Sequence, residues 1–416
     1  MGGPLRILII TSYFWPENFR INDLAVGIKE KGHDVTVLTN LPNYPSGSFF
    51  PGYGVFKKRV EYHQGVKIIR IPQIPRGNGN SVNLMLNYFS SALMLSLFGF
   101  LACRQKYDLI FVPQLSPVTI GLPAVLLRKI KAIPVILWIL DIWPESLSAT
   151  GAVHNPRVLE LVRSLVRSIY ERCDKLLVSS RGFIRSVEET GGYGGRIEYF
   201  PNWVEPEYTV DDRQDNAAAL PLLPQGFRIM FAGNIGVAQD FVTILAAADQ
   251  LKELNDIKWL ILGDGREAQW VADQVQERNL SGHFHLLGRY PPAMMPAFFA
   301  QADVMLMTLK RAPIFTLTAP GKIQSYMACG KPIVAALDGE GAELVVHSGA
   351  GVACPAESPA ELANCVLELY KMPAEERKRM GERGRMYCAE HFDRERQFAK
   401  LEDIMREVVR NKGVGI

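Results

Sequence analysis

The sequence predicts an α/β protein made of two doubly wound halves, each a parallel sheet with helices on both faces. Three observations carry this. Short runs that are apolar at nearly every position, such as Leu5 to Thr11 (LRILIIT), read as strands buried on both faces, since a strand with one wet face would alternate. Each run is followed by a helical pattern before the next run, which is the alternation of βαβ units. The same rhythm then restarts at Phe227, beyond a Pro-rich stretch from Pro201 to Gly226 that contains LPLLP. The 416 residues suit two domains of ordinary size, each able to bury its own core.

In the first half, Leu5 to Thr11 leads into Ser12 to Arg20 (SYFWPENFR), a loop dense in aromatic and polar groups. Ile21 to Lys31 has amphipathic helical spacing and stops at Gly32, and Asp34 to Thr39 is the second strand. Pro42 to Gly54 is a long loop rich in Pro, Gly and aromatics, which reads as a substrate lid or as a loose insertion. Strands follow at Asp108 to Val112, Pro134 to Leu140, Lys175 to Ser179 and Arg196 to Phe200, with helices at Pro117 to Lys131, Pro156 to Arg172 and Arg181 to Glu189 between them. Asp141-Ile142-Trp143-Pro144-Glu145 places two carboxylates and a Trp where one strand ends. Ligands of doubly wound folds sit beyond such carboxyl ends.

Before Asp108 comes Asn83 to Cys103, an uncharged run of 21 residues closed by Arg104. Its length allows a membrane span, although two asparagines, three serines and Gly99 thin its apolarity. A strand follows at once, so a span would divide one sheet between two compartments. A crossover helix and a helix lying on a membrane surface remain open beside it, and basic flanks at Lys57-Lys58-Arg59 and Arg70 to Arg76 suit an anionic leaflet.

The second half runs from strand Phe227 to Ala232 through Gly233-Asn234-Ile235-Gly236 to helix Gln239 to Leu254, then strand Ile257 to Leu262 and Gly263-Asp264-Gly265-Arg266. Phe284 to Leu287 leads to Gly288-Arg289, and helix Pro292 to Ala300 to strand Asp303 to Leu306. Pro313 to Val345 reads loop, helix, strand and helix start, with Lys322 in the first turn of the helix after Pro320-Gly321. Such a helix start offers free N–H groups and a positive dipole end to an anion. The chain beyond Leu362 is mostly helical and charged, and Phe392 to Val409 is long enough to return to the first domain. The expected domains are 1–200 with 392–416, and 201–391.

Composition narrows the function classes. A formal net charge of +3 is too small to argue for nucleic acid. The six cysteines show neither CxxC nor paired spacing, and the His residues show no ligand spacing apart from His283 and His285 on a strand, so no metal site is expected. Met1-Gly2-Gly3-Pro4 passes straight into a strand without a signal-peptide pattern. Gly263 to Ala268 fits G-x-G-x-x-A, yet it follows the second strand of its half and Arg289, not an acid, ends the next strand, which leaves an NADP site as one reading.

The stretch MACGKPIVA followed by Gly339-x-x-x-Glu343 resembles the donor-binding segment of the retaining glycosyltransferases of family four, whose GT-B fold faces two Rossmann-like domains and returns the last helix to the first. The resemblance runs along nearly the whole chain and is nearest the branch that adds fucosamine-type sugars such as L-FucNAc in bacterial O-antigen, capsule and colanic-acid synthesis. It implies a UDP-sugar donor held by the second domain and a lipid-linked sugar diphosphate acceptor held by the first. It also implies a cytoplasmic enzyme peripherally bound to the inner leaflet, with no metal or other cofactor. The donor would contact Gly233, Asn234, Gln239, Gly263, Gly265, Arg266, Arg289, Lys310 and Glu343. Lys322 would hold the leaving diphosphate, Glu340 would stand in for a sugar-contacting carboxylate, and Asp141 would orient or deprotonate the acceptor hydroxyl. Glu17, Asn18 and Arg20 would meet the acceptor.

This chain departs from the family pattern at three places. Asn234 and Gln239 stand where the family has an Arg and a Lys, Leu317 and Ser325 where it has two glutamates, and Leu140 where it often has a His. A silent nucleotide-sugar-binding relative and a GT-B nucleotide-sugar epimerase are therefore the alternatives.

Overall fold

A computed structural model describes residues 3–149, 153, 155–208 and 220–413. Part of the expected linker, 209–219, and His154 lie outside these residues. The chain divides into two compact units, Met1–Pro201 with Glu395–Ile416, and Asn202–Arg394.

The first unit runs β1 (Arg6–Ile10), α1 (Ile21–Glu30), β2 (Asp34–Asn40), β3 (Val60–His63), β4 (Val66–Ile71), α2 (Ser81–Ala102), β5 (Leu109–Gln114), α3 (Gly121–Lys131), β6 (Val135–Ile139), α4 (Glu145–Ala149), α5 (Pro156–Glu171), β7 (Lys175–Val178), α6 (Gly182–Thr190) and β8 (Ile197–Tyr199). Its sheet order is β3-β4-β2-β1-β5-β6-β7-β8, parallel except for β3 against β4. The β3–β4 hairpin was not expected. Gln64 and Gly65, both at positive φ, make its turn, and Val60 pairs with Ile69.

The hairpin corrects part of the basic flank read beside the apolar run. Arg70 lies inside β4 with no exposed surface, bonded to Glu61 and, at 2.6 Å, to the carbonyl of Trp15. It is a buried structural cation rather than a surface charge. Arg76, half-buried, bonds the Tyr13 hydroxyl and lies 5.2 Å from the Tyr44 ring.

The uncharged run forms α2, which docks on the sheet along one face. Asn87 Nδ2 donates to the carbonyl of Ile74 at 2.6 Å, Ser91 bonds Asn40, and a side chain on Gly99 would meet Leu38 at 3.0 Å. α2 is long and apolar enough to cross a membrane, yet one of its faces is bonded to the first unit.

The second unit runs β9 (Phe227–Ala232), α7 (Phe241–Gln250), β10 (Ile257–Leu262), α8 (Ala268–Glu277), β11 (Phe284–Gly288), α9 (Met295–Ala300), β12 (Val304–Thr308), α10 (Pro313–Thr316), α11 (Gly321–Ala328), β13 (Ile333–Ala336), α12 (Glu340–His347), β14 (Gly351–Cys354), α13 (Pro359–Lys371) and α14 (Ala374–His391). The sheet is wholly parallel, in the order β11-β10-β9-β12-β13-β14. The order reverses between β9 and β12, and ligands of such sheets generally sit beyond the carboxyl ends of the strands at that point. Apolar clusters cover both faces, one around Phe231, Trp259 and Leu306, the other around Met305, Tyr326 and Ala335.

α15 (Arg394–Gly413) follows α14, and most of it belongs to the first unit. Phe398, Leu401 and Met405 are buried, Lys31 pairs with Glu395 at 3.2 Å, and Lys400 pairs with Glu198 at 3.3 Å. Phe392, expected to open this helix, instead caps α14 and packs into the second unit's core.

Candidate functional site

In the second unit the turns after β9, β10 and β11 are joined backbone to backbone. Gly233 N–H donates to Leu262 O at 2.8 Å, Ile235 N–H to Asp264 O at 2.9 Å, and Gly263 N–H to Gly288 O at 2.8 Å. This packing leaves no room for side chains. Gly263 has φ +140°, and a Cβ there would sit 1.8 Å from the carbonyl oxygen of Gly233. Gly233 has φ +144°, and a Cβ there would lie 2.0 Å from Lys322 Nζ.

Lys322 thus rests on the bare backbone of the first turn. It stands in the first turn of α11, and Tyr326 one turn later exchanges bonds of 3.2 Å with both the N–H and the carbonyl of Ala232. The helix start is therefore tied to the end of β9. Part of the Lys322 side chain reaches the surface, but Nζ itself is shut from solvent, 4.4 Å from the centre of the Phe231 ring, with no hydrogen-bond partner among the described residues. Burial lowers its pKa to about 8, because the ammonium has lost water without gaining an anion. A buried cation without a counter-charge is held at a cost that an anion bound beside it would relieve.

The neighbouring positions are polar rather than cationic. The side-chain amides of Asn234 and Gln239 meet each other at 3.2 Å. The exit of β12 is fastened to the same loop, with Thr308 Oγ1 donating to Gln239 O at 2.5 Å and Lys310 N–H to Ala238 O at 2.9 Å. The Lys310 side chain is half-buried. Gly265 accompanies Gly263 in the second turn, and its N–H donates to Asp264 at 2.7 Å. Arg266 and Arg289 are exposed beside these turns. Arg311, also a cation at this edge, is turned to Asp338 at 3.3 Å and the carbonyl of Ala356 at 2.8 Å. Glu340 opens α12, half-buried, and Glu343 stands exposed on its first turn. Gly233, Gly263, Gly265, Asn234, Gln239, Lys310 and Lys322 are thus drawn together by contacts of loop and helix.

The first unit's candidates are held differently. Glu17 is buried, and its carboxylate accepts from the N–H groups of Asn43 at 2.9 Å, Tyr44 at 2.7 Å and Phe14 at 3.4 Å. It ties the loop after β1 to the long loop after β2, so its oxygens are occupied internally. Burial raises its pKa, against the pull of those N–H groups. Asn18 is exposed, and Arg20 is half-buried at the start of α1. Asp141, just beyond β6, accepts from Trp143 Nε1 at 2.9 Å and from the Ser146 hydroxyl. Desolvation raises its pKa although both donors oppose the shift. A carboxylate in that state is a stronger base than a solvated one.

Tyr326 and Thr308 were not among the expected site residues. Each acts on backbone far away in the chain, and only Tyr326 carried a signal, as a phenol inside an otherwise buried helix pattern. Among the described residues no group of three or more His, Cys, Asp or Glu is placed to hold a metal ion.

Two family profiles match, Glycosyl transferase 4-like domain over residues 18–203 and Glycosyl transferases group 1 over residues 212–387. The putative colanic acid biosynthesis glycosyl transferase WcaI of Escherichia coli (strain K12) is 25% identical over 340 residues, covering 78% of this chain and 82% of that protein. Sucrose-phosphate synthase from Thermosynechococcus elongatus superposes with a TM-score of 0.74 at 17% identity, covering 99% of this chain and 100% of that one. Anabaena HepE, solved in complex with UDP, gives 0.66 at 16% identity, covering 97% and 100%.

Proposed function

The chain belongs to the glycosyltransferases of family four, with the GT-B fold, and from that premise we propose that it moves a sugar from a UDP-sugar to a lipid-linked sugar diphosphate, retaining anomeric configuration. The reading extends to an N-acetylated amino or deoxy-amino sugar such as L-FucNAc. It places the enzyme at the cytoplasmic leaflet, in the synthesis of a bacterial surface polysaccharide. The WcaI name supports the polysaccharide role, and the UDP complex of HepE supports the nucleotide.

The observation that carries the reading is the unpartnered Nζ of Lys322 over Gly233. When the glycosidic bond to the diphosphate breaks, about one further negative charge collects on the leaving oxygen, and a preorganised cation stabilises it. Lys322, the N–H groups that open α11 and the glycine turns after β9 and β10 would hold the diphosphate. Asp141, on the first unit, would take or orient the proton of the acceptor hydroxyl, its raised pKa making it the better base. Glu340 and Glu343 would contact the sugar and ribose. This arrangement supplies the counter-charge from side chain and backbone, so turnover is expected to survive chelators.

A panel of UDP-sugars, each with a lipid diphosphate-sugar acceptor, tests the proposal through UDP release and the anomeric configuration of the product. Lys322→Ala should lower kcat by about 100- to 1,000-fold with the fold intact. Unchanged turnover in that variant would remove Lys322 from the mechanism.

A further inference from the structure

α2 is built inside out, and that carries one inference further. Its protein-facing side holds Asn87, Ser90, Ser91 and Gly99 beside Ala92 and Leu95. The large apolar side chains Val82, Met85, Phe89, Leu93, Leu97 and Phe100 recur every third or fourth residue along the opposite side and are exposed, Met85 and Phe89 by two thirds. Only 28% of the most apolar window of this helix is buried. Leu126 and Ile130 of α3, which packs beside α2, extend the exposed surface. A continuous apolar stripe of this size on a soluble unit marks a contact surface.

Charge selects the occupant. α2 carries no charged residue, yet exposed cations stand at both ends. Lys57 lies in the turn before β3, at the sheet edge where α2 begins, with Phe56 beside it 95% exposed. Arg104, Lys106 and Lys129 stand at the other end, where Lys131 Nζ bonds the carbonyl of Gln105 at 3.2 Å. An apolar stripe between basic ends fits an interface between hydrocarbon and anionic headgroups. We infer that α2 lies in the plane of an anionic bilayer, its Met85–Phe89–Leu97 side sunk below the headgroups and its Asn87–Ser91 side held by the sheet. This deepens the leaflet part of the proposed function by naming the surface, and it does not depend on the transfer chemistry.

Flotation of the full chain with vesicles tests it. Equal parts phosphatidylcholine and phosphatidylglycerol should carry the protein upward, and phosphatidylcholine alone should carry much less. Met85→Gln/Phe89→Gln changes only exposed side chains and should weaken partition about tenfold, with circular dichroism unchanged. Lys57→Glu/Lys106→Glu should weaken it on the anionic vesicles alone. The inference falls if the wild type stays at the bottom, or if the Met85/Phe89 variant floats equally well. It also falls if the wild type is a dimer in solution that this variant splits, which would make the stripe a contact between copies. Resistance to alkaline carbonate would overturn it in favour of insertion. Release of UDP from donor in vesicle-free solution is scored separately, so a failure of docking and a failure of transfer chemistry give different results.

Discussion

The carboxyl edges of the two sheets are built by opposite means. In the second unit the turns are bare backbone, bonded to one another, with Lys322 laid on the first of them. In the first unit the loops are held by side chains, with Glu17 gathering three N–H groups and Tyr13, Phe19 and Tyr44 packed on one another. A seat made of main chain tolerates little change in sequence but asks little of neighbouring side chains. A seat made of side chains can be re-cut residue by residue. The proposed partners fit this division, since a diphosphate is common to many donors while acceptors differ.

Substitutions can break the comparison. Gly233→Ala puts a methyl where Lys322 Nζ sits, so the flexible lysine end must leave; turnover should fall about 100- to 1,000-fold, like Lys322→Ala, and the positive φ at this position should cost about 1–2 kcal/mol of stability. Gly263→Ala meets a carbonyl oxygen, which cannot swing aside, so unfolding in denaturant should show a loss of about 3 kcal/mol. If the two glycine variants behave alike, the turns are not as distinct as described. On the first unit, Glu17→Ala leaves three loop N–H groups without their acceptor. It should cost about 2 kcal/mol and open residues 42–54 to protease, the loss being tempered because the buried carboxylate is itself poorly solvated.

Acidity sharpens the contrast. With a pKa of about 8, Lys322 is charged at lower pH, so kcat/KM should decline as pH rises through about 8, and Lys322→Arg should move that decline upward. The sign for stability is opposite. Between about 8 and 10.5 the unfolded chain keeps a proton that the folded chain has released, so stability rises with pH across that window. The smallest effect is expected at Arg311→Ala, whose pair with the half-buried Asp338 is solvent-screened on the arginine side and worth about 0.5 kcal/mol.

Most strands, the glycine turns and the position of Lys322 were readable because they depend on local pattern. What hid from the sequence depends on distance. Nothing near Glu17 shows that its oxygens will be taken by N–H groups of residues 43 and 44. The isolation of Lys322 needs Gly233, far back in the chain, to be pressed against it. β3 and β4 went unread because Arg70 stands where an inward side chain should be apolar, and only Glu61 on the partner strand explains it. In α2 the serines and asparagines read as dilution of an apolar run; they mark the docked side, reversing the usual inference from polarity to exposure.

The discontinuity of the first unit bears on how the chain is made. Residues 1–201 leave the ribosome early, but the slot for Phe398, Leu401 and Met405 stays open until α15 emerges. The second unit is contiguous and can close before the first is complete. The core of the first unit is therefore completed only once the last helix of the chain has been made.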